Sequence, residues 1–222
     1  MKNIMKTRKK VKRKGSRGYR IVYGLLAGIV GFLFGYRVIN QENERDEGGY
    51  IVCGNHVSAT DAIALCYAFR KNQVCFMGKK ELFKIPLLAQ LIKFLGAFPV
   101  DRSGSDVGAI KNAVKLVQDG KCLGIFPQGH RYPGENPRDT KTKNGMALIA
   151  TRAKADIVPC YIWRKNNKFR LFRRTYIIIG EPISFESLNY DCEANGEYAR
   201  ITSTVFDKIC TLGEEFEAQR NK

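Results

Sequence analysis

The chain has 222 residues, 44% of them apolar, enough for one substantial core but too few for two ordinary domains plus a membrane segment. Its net charge of +17 is concentrated at one end: residues 1–20 hold ten Lys or Arg and no acid, leaving 28 basic against 21 acidic side chains in the rest. Seven cysteines, at 53, 66, 75, 122, 160, 192 and 210, include no Cys-x-x-Cys pair and sit mostly in apolar runs. They argue against a disulfide framework or a zinc site, and read as structural thiols of a reducing compartment.

The basic arm, residues 1–20, points to an anionic partner, either lipid headgroups or nucleic acid. It runs into Ile21–Tyr36, sixteen uncharged residues. As a helix these reach about 24 Å against a hydrocarbon core of roughly 30 Å. Counting through Ile39 with Arg37 snorkelling brings the segment 21–39 nearer to spanning length. Gly24, Gly28, Gly31 and Gly35 share one helical face, which suits either close approach of another helix or ordinary membrane-helix packing.

The third region, residues 48–222, alternates apolar strand-like runs with helical patterns. Strands are predicted at 50–54, 74–78, 97–101, 122–127, 157–163 and 176–180, with 168–172 as a hairpin partner. Helices are predicted at 59–70, 86–95, 106–118, 144–154 and 195–217. In the last, Ile201, Val205, Ile209, Leu212 and Phe216 form one apolar stripe. The alternation predicts a single α/β domain with a mostly parallel mixed sheet flanked by helices.

Chemistry concentrates at the ends of the predicted strands. His56 lies between the first strand and its helix, with Asp61 five residues on. The acid can turn back on one imidazole nitrogen while the other faces substrate as a general base. Ser58-Ala59-Thr60-Asp61 also reads as a capping box, which would make Asp61 structural. Arg102 closes the strand that includes Phe98-Pro99-Val100, beside a helix N-terminus, a good place to hold phosphate, or else it is a surface arginine paired with Asp101 or Asp106. Phe126-Pro127-Gln128-Gly129-His130-Arg131 ends another strand in a Pro-x-Gly turn able to expose backbone donors. His130 is the second candidate base, but no acid follows it at the spacing of His56.

Asn55-His56-x-Ser58-x-x-Asp61 resembles the first signature of the glycerophospholipid acyltransferases, in particular the 1-acylglycerol-3-phosphate acyltransferase family. Gly96–Arg102 resembles its second motif, and Phe126–Arg131 its Phe-Pro-Glu-Gly-Thr-Arg motif, with Gln128 for Glu and His130 for Thr. Gly78–Pro86 and Ile157-Val158-Pro159-Cys160 resemble its basic segment and its fourth motif, and a Lys143-x-Gly145 step also fits. Four motifs in order cover residues 50–160. The resemblance implies the glycerolipid acyltransferase fold, with His56 and Asp61 catalytic. It implies that Arg102, Arg131 and Lys79 hold the acceptor's phosphate, and that Asn55, Gln128 and Gly129 line the acceptor site, with Gln128 altering its preference.

The expected reaction moves an acyl group from acyl-CoA or acyl-ACP to lysophosphatidic acid, without metal or organic cofactor. The expected location is the cytoplasmic side of the cell membrane, because a spanning helix would send the domain away from cytosolic acyl donors. Segment 21–39 would then dip into or lie on the anionic leaflet, with the arm as its electrostatic anchor. The alternatives are acylation of another lysophospholipid, or a non-enzymatic basic protein binding membrane or nucleic acid. The second leaves residues 50–160 unexplained, and no nucleic acid is expected as a partner.

Overall fold

From Tyr50 onward the alternation folds much as its pattern predicts. The computed structural model describes residues 27–100 and 107–221. The strands are β1 (Tyr36–Ile39), β2 (Ile51–Gly54), β3 (Val74–Lys79), β4 (Phe98–Val100), β5 (Cys122–Ile125), β6 (Ile157–Trp163) and β7 (Thr175–Ile179). The helices are α1 (27–33), α2 (Asp61–Ala68), α3 (Pro86–Phe94), α4 (Val107–Gln118), α5 (Gly145–Ala153) and α6 (Glu197–Arg220).

One sheet of order β1-β7-β6-β2-β5-β3-β4 organises them. The five strands β6, β2, β5, β3 and β4 run parallel. β7 is antiparallel to β6, and β1 follows β7. Both faces are covered, which is why β2, β5 and β6 are buried at every residue. The side-chain alternation of a strand splits β2 between two cores. Ile51 and Cys53 pack with Ala113 of α4, Ile149 of α5 and Ile201 of α6. Val52 packs on the other face with Leu65 of α2, and Val30 of α1 joins them.

The apolar segment behaves differently from its expectation as one helix over 21–39. Residues 21–26 lie outside the described residues, and helix covers only 27–33. Gly35, at φ +59°, ends it with a turn, and Tyr36–Ile39 becomes the edge strand β1. Arg37 is therefore an exposed strand residue rather than a snorkelling helical one, and the domain's sheet begins before residue 48. Gly31 does allow close approach, but to Tyr67 of α2: a Cβ there would lie 2.8 Å from its hydroxyl. Among the described residues no helix is long and apolar enough to cross a membrane.

Two further differences are local. No strand forms at 168–172; the segment is the connection from β6 to β7, turned by Asn166, Asn167 and Phe172 in left-handed conformation. Glu44, buried at 2% exposure, ties the β1–β2 connection to the end of α2. Its carboxylate accepts the backbone N–H of Lys71 at 2.6 Å and the side-chain amide of Gln41 at 2.9 Å. The cysteines are all free, with Cys192 alone exposed, and burial pushes the Cys66 and Cys122 thiols up to about 12, far from reactive thiolates.

Ile177 tests the packing of β1 most simply, because it is fully buried between Val38 and Ile162. Ile177→Ala should lower the unfolding free energy by about 2–5 kcal/mol in urea denaturation, with an unchanged m-value.

Candidate active site

The parallel strands deliver their following residues to one edge of the sheet, where α/β folds place their ligands. In spatial order that edge carries Arg164 after β6, Asn55 and His56 after β2, Phe126–Arg131 after β5, Lys79 at the end of β3, and Val100 at the end of β4. Arg102 and the basic arm lie outside the described residues.

Asp61 is the hub. It is fully buried at the first residue of α2, and its Oδ2 accepts three hydrogen bonds: His56 Nδ1 at 2.8 Å, Val57 N–H at 2.7 Å and Ser58 N–H at 2.8 Å. The Ser58 bond is half of the expected capping box, but Asp61 is the first residue of α2 rather than the third and Thr60 is its N-cap; the same carboxylate closes the turn and holds the ring. Its Oδ1 pairs with Arg164 Nη1, and Arg164 Nη2 donates to Thr60 Oγ1 at 3.2 Å. Arg164 is itself only 2% exposed and lies 5.6 Å from the centre of the Phe169 ring. Burial alone would raise the Asp61 carboxyl. The His56 hydrogen bond and the Arg164 charge outweigh it and hold the group below its ordinary value.

His56 is fixed from every side but one. Its ring stacks on Phe126, with centroids 4.1 Å apart and planes 10° from parallel. Its backbone N–H donates to Gln128 Oε1 at 2.6 Å, and its carbonyl accepts Tyr132 N–H at 2.9 Å. Nε2 makes no hydrogen bond with any described residue, and the side chain keeps 13% exposure. The ring thus has one nitrogen on Asp61 and the other without a partner among the described residues.

The structure moves two expected substrate contacts behind the histidine. Gln128 is buried, and a backbone N–H can only donate, so its oxygen must face His56. Its Nε2 donates to Thr140 Oγ1 at 2.7 Å, which frees that hydroxyl to donate to the Pro137 carbonyl at 2.6 Å. A glutamate could accept from the Thr140 hydroxyl but not donate to it, so Gln128 sets the direction of this bond and leaves that hydroxyl free for Pro137. Asn55 is also fully buried and bridges to β6, accepting from Ile162 N–H at 2.7 Å and donating to the Ile162 carbonyl at 3.2 Å. Gly129 takes the left-handed turn at φ +69°, and leaves Arg131 and His130 exposed. Lys79 is 58% exposed, 3.7 Å from Glu81, and paired in register with Val100.

Two residues of this site are not visible in the motifs, and the ring-stacking role of Phe126 is not visible in its own. Arg164 depends on strand order. Tyr36, buried on β1, donates its hydroxyl to the Thr60 carbonyl at 3.1 Å, and burial raises its pKa so that it remains a donor. The available signal for Arg164 was its place directly after a fully apolar strand, where an unpartnered charge is costly.

The Asp61 arrangement carries a pH consequence. Its carboxyl is held below 3.8, so ionised Asp61 stabilises the fold above that pH. This contribution is lost as pH falls through the lower folded value. Arg164→Met removes one cause of the lowering and leaves a buried carboxylate short of a partner. The expected result is a loss of about 3–5 kcal/mol at pH 7 and an acid-unfolding midpoint moved to higher pH, followed by circular dichroism.

Known proteins resemble this chain in sequence and fold. The acyltransferase family model matches residues 35–163. A 1-acyl-sn-glycerol-3-phosphate acyltransferase of Bacillus subtilis is 32% identical over 167 residues, covering 74% of this chain and 82% of its own. One from Streptococcus pneumoniae is also 32% identical, over 66% of this chain and 56% of its own length. The crystal structure of the 1-acyl-sn-glycerophosphate acyltransferase PlsC from Thermotoga maritima superposes with a TM-score of 0.65 at 23% identity, over 91% of this chain and 79% of that one, a likeness of fold. The chain belongs to the acyltransferase family, as a relative of the 1-acyl-sn-glycerol-3-phosphate acyltransferases, and is an acyltransferase enzyme.

Proposed function

We propose that the protein acylates lysophosphatidic acid to phosphatidic acid, using an acyl thioester carried by coenzyme A or acyl carrier protein. The acceptor follows from the names of its relatives, and the observation that carries the chemistry is the half-free imidazole of His56 on the buried Asp61 carboxylate. His56 Nε2 takes the proton of the acceptor's free hydroxyl as its oxygen bonds to the thioester carbonyl carbon. Asp61 keeps the proton of Nδ1 in place and stabilises the imidazolium. The tetrahedral intermediate then expels the thiolate, which leaves with the proton from Nε2. Arg164 acts through Asp61, holding the carboxylate ionised and aimed.

Attack is direct. The buried cysteines are held as thiols, and among the described residues no serine or cysteine is paired with a base, which supports attack without an acyl-enzyme. The phosphate is assigned to Arg102, Arg131 and Lys79. What supports this for Arg131 and Lys79 is the edge they share with His56: β3 lies two strands from β2, roughly 10 Å away. Long basic side chains reaching back over that distance hold the acceptor with its hydroxyl at His56, making the attack effectively intramolecular. Gln128 is buried on the His56 backbone, which supports lysophosphatidic acid over another lysophospholipid as the acceptor. We place the enzyme at the cytoplasmic leaflet, with the arm and α1 against anionic lipid; no nucleic acid enters this reading.

The base assignment is checked by turnover in detergent with lysophosphatidic acid. His56→Ala should lower it by roughly 10²–10⁴-fold with folding intact, while His130→Ala keeps substantial activity. Greater loss from His130→Ala would transfer the role. Phosphate recognition is checked by Arg102→Ala, which should raise the KM for lysophosphatidic acid about ten- to a hundredfold while the donor KM changes little. An unchanged acceptor KM would move the phosphate to Arg131 or Lys79.

A further inference from the structure

His56 is held by its backbone as well as by its ring, and the backbone hold continues past Gln128. The His56 N–H donates to Gln128 Oε1 at 2.6 Å, and Gln128 Nε2 donates to Thr140 Oγ1 at 2.7 Å. The Thr140 hydroxyl then donates to the Pro137 carbonyl at 2.6 Å. This chain of bonds begins at a group that can only donate and ends at one that can only accept. Its direction is therefore the same at every link, and each residue between must offer one acceptor and one donor. Gln128 and Thr140 do so. A valine at position 140 could do neither.

The far end of the chain is anchored. Thr140 follows a single helical turn, Pro137–Asp139, in which Pro137 is buried and has its φ fixed by its ring. Asn136 caps that turn, its Oδ1 accepting the Arg138 N–H at 3.1 Å. Arg138 ties the turn to α6 with a fork. Its Nε and Nη2 donate to the two carboxylate oxygens of Glu214 at 2.6 and 3.0 Å, and its Nη1 donates to Asp207 at 2.6 Å. Asp207 and Glu214 stand about two turns apart on α6, whose Ile201, Val205 and Ile209 are in the core.

Gln128 is 1% exposed, so its amide has no solvent to turn to. Without an acceptor at position 140, Nε2 becomes a buried donor with no partner. The amide then loses the preference that presents Oε1 to His56. Phe126 and Asp61 still hold the ring, so the base is displaced rather than removed. A small displacement of a general base slows the chemical step and leaves ground-state binding alone.

We infer that Thr140 is a positioning residue of this enzyme. Through Gln128 it sets where the His56 backbone stands, and through the 137–140 turn it refers that position to α6. The inference rests on His56 as the base, the reading given above, and adds a residue outside the motifs that carry the family resemblance.

The test measures kcat and both KM values in detergent, with lysophosphatidic acid and whichever acyl donor supports wild-type turnover. Thr140→Val keeps the shape and removes the hydroxyl. It should lower kcat roughly three- to thirtyfold, with both KM values within about twofold of wild type. Thr140→Ser restores the acceptor and should return kcat to within about twofold of wild type. In a Gln128→Met background, which has no amide to orient, Thr140→Val should add no further loss. Should the valine variant not fold, Thr140→Cys, whose thiol accepts only weakly, takes its place with the same expectation. Wild-type kcat in Thr140→Val, a change confined to KM, no recovery with serine, or losses that add in the double variant overturns the positioning role and leaves His56 as the base. Full turnover by His56→Ala overturns both.

Discussion

The structure depends on one carboxylate. Asp61 is out of water and ionised, a state that burial opposes and that four donors together secure. Two of those donors are backbone N–H groups of its own turn, so they come with the loop. The other two are side chains of His56, five residues before it, and Arg164, 103 residues after it. Such a buried charge cluster is weak evidence for stability, since well-packed apolar groups could replace it. What the cluster does is positional: it ties the His56 ring, the turn at 57–58 and Arg164 to one carboxylate.

The sheet order follows from the same requirement. Arg164 reaches Asp61 because β6 lies beside β2, and Gln128 reaches the His56 backbone because β5 lies on the other side. The loop after β5 acts chiefly as a clamp: Phe126 supports the ring, Gln128 holds the N–H and Tyr132 holds the carbonyl. His130 and Arg131 remain exposed within that clamp.

What the sequence conveyed, and what it did not, divides along the same line. His56 and Asp61 were legible because their interaction spans a single turn. Gln128 and Asn55 were read as substrate contacts because a motif shows which residues cluster, not which way their side chains face: Asn55 bonds Ile162 of β6, and Gln128 bonds the His56 backbone and Thr140. Arg164 and Tyr36 required the strand order. Tyr36–Ile39 was read as the tail of an apolar helix, because apolar content alone does not separate a membrane helix from an edge strand. Gly35 carried the needed signal, as a helix-ending turn rather than a helical face. The 168–172 stretch has strand-like composition, but its left-handed Phe172 turns it into a projection.

The central claim is that Asp61 fixes the tautomer of His56 and leaves Nε2 open to the cleft. The chain has only two histidines, so ¹⁵N NMR of the imidazole rings, assigned with a His130→Ala variant, reads that tautomer directly. In the neutral ring of His56 the account predicts the proton on Nδ1 and a bare Nε2. A neutral His56 carrying its proton on Nε2 would contradict it, because that nitrogen could not then accept the hydroxyl proton of any substrate.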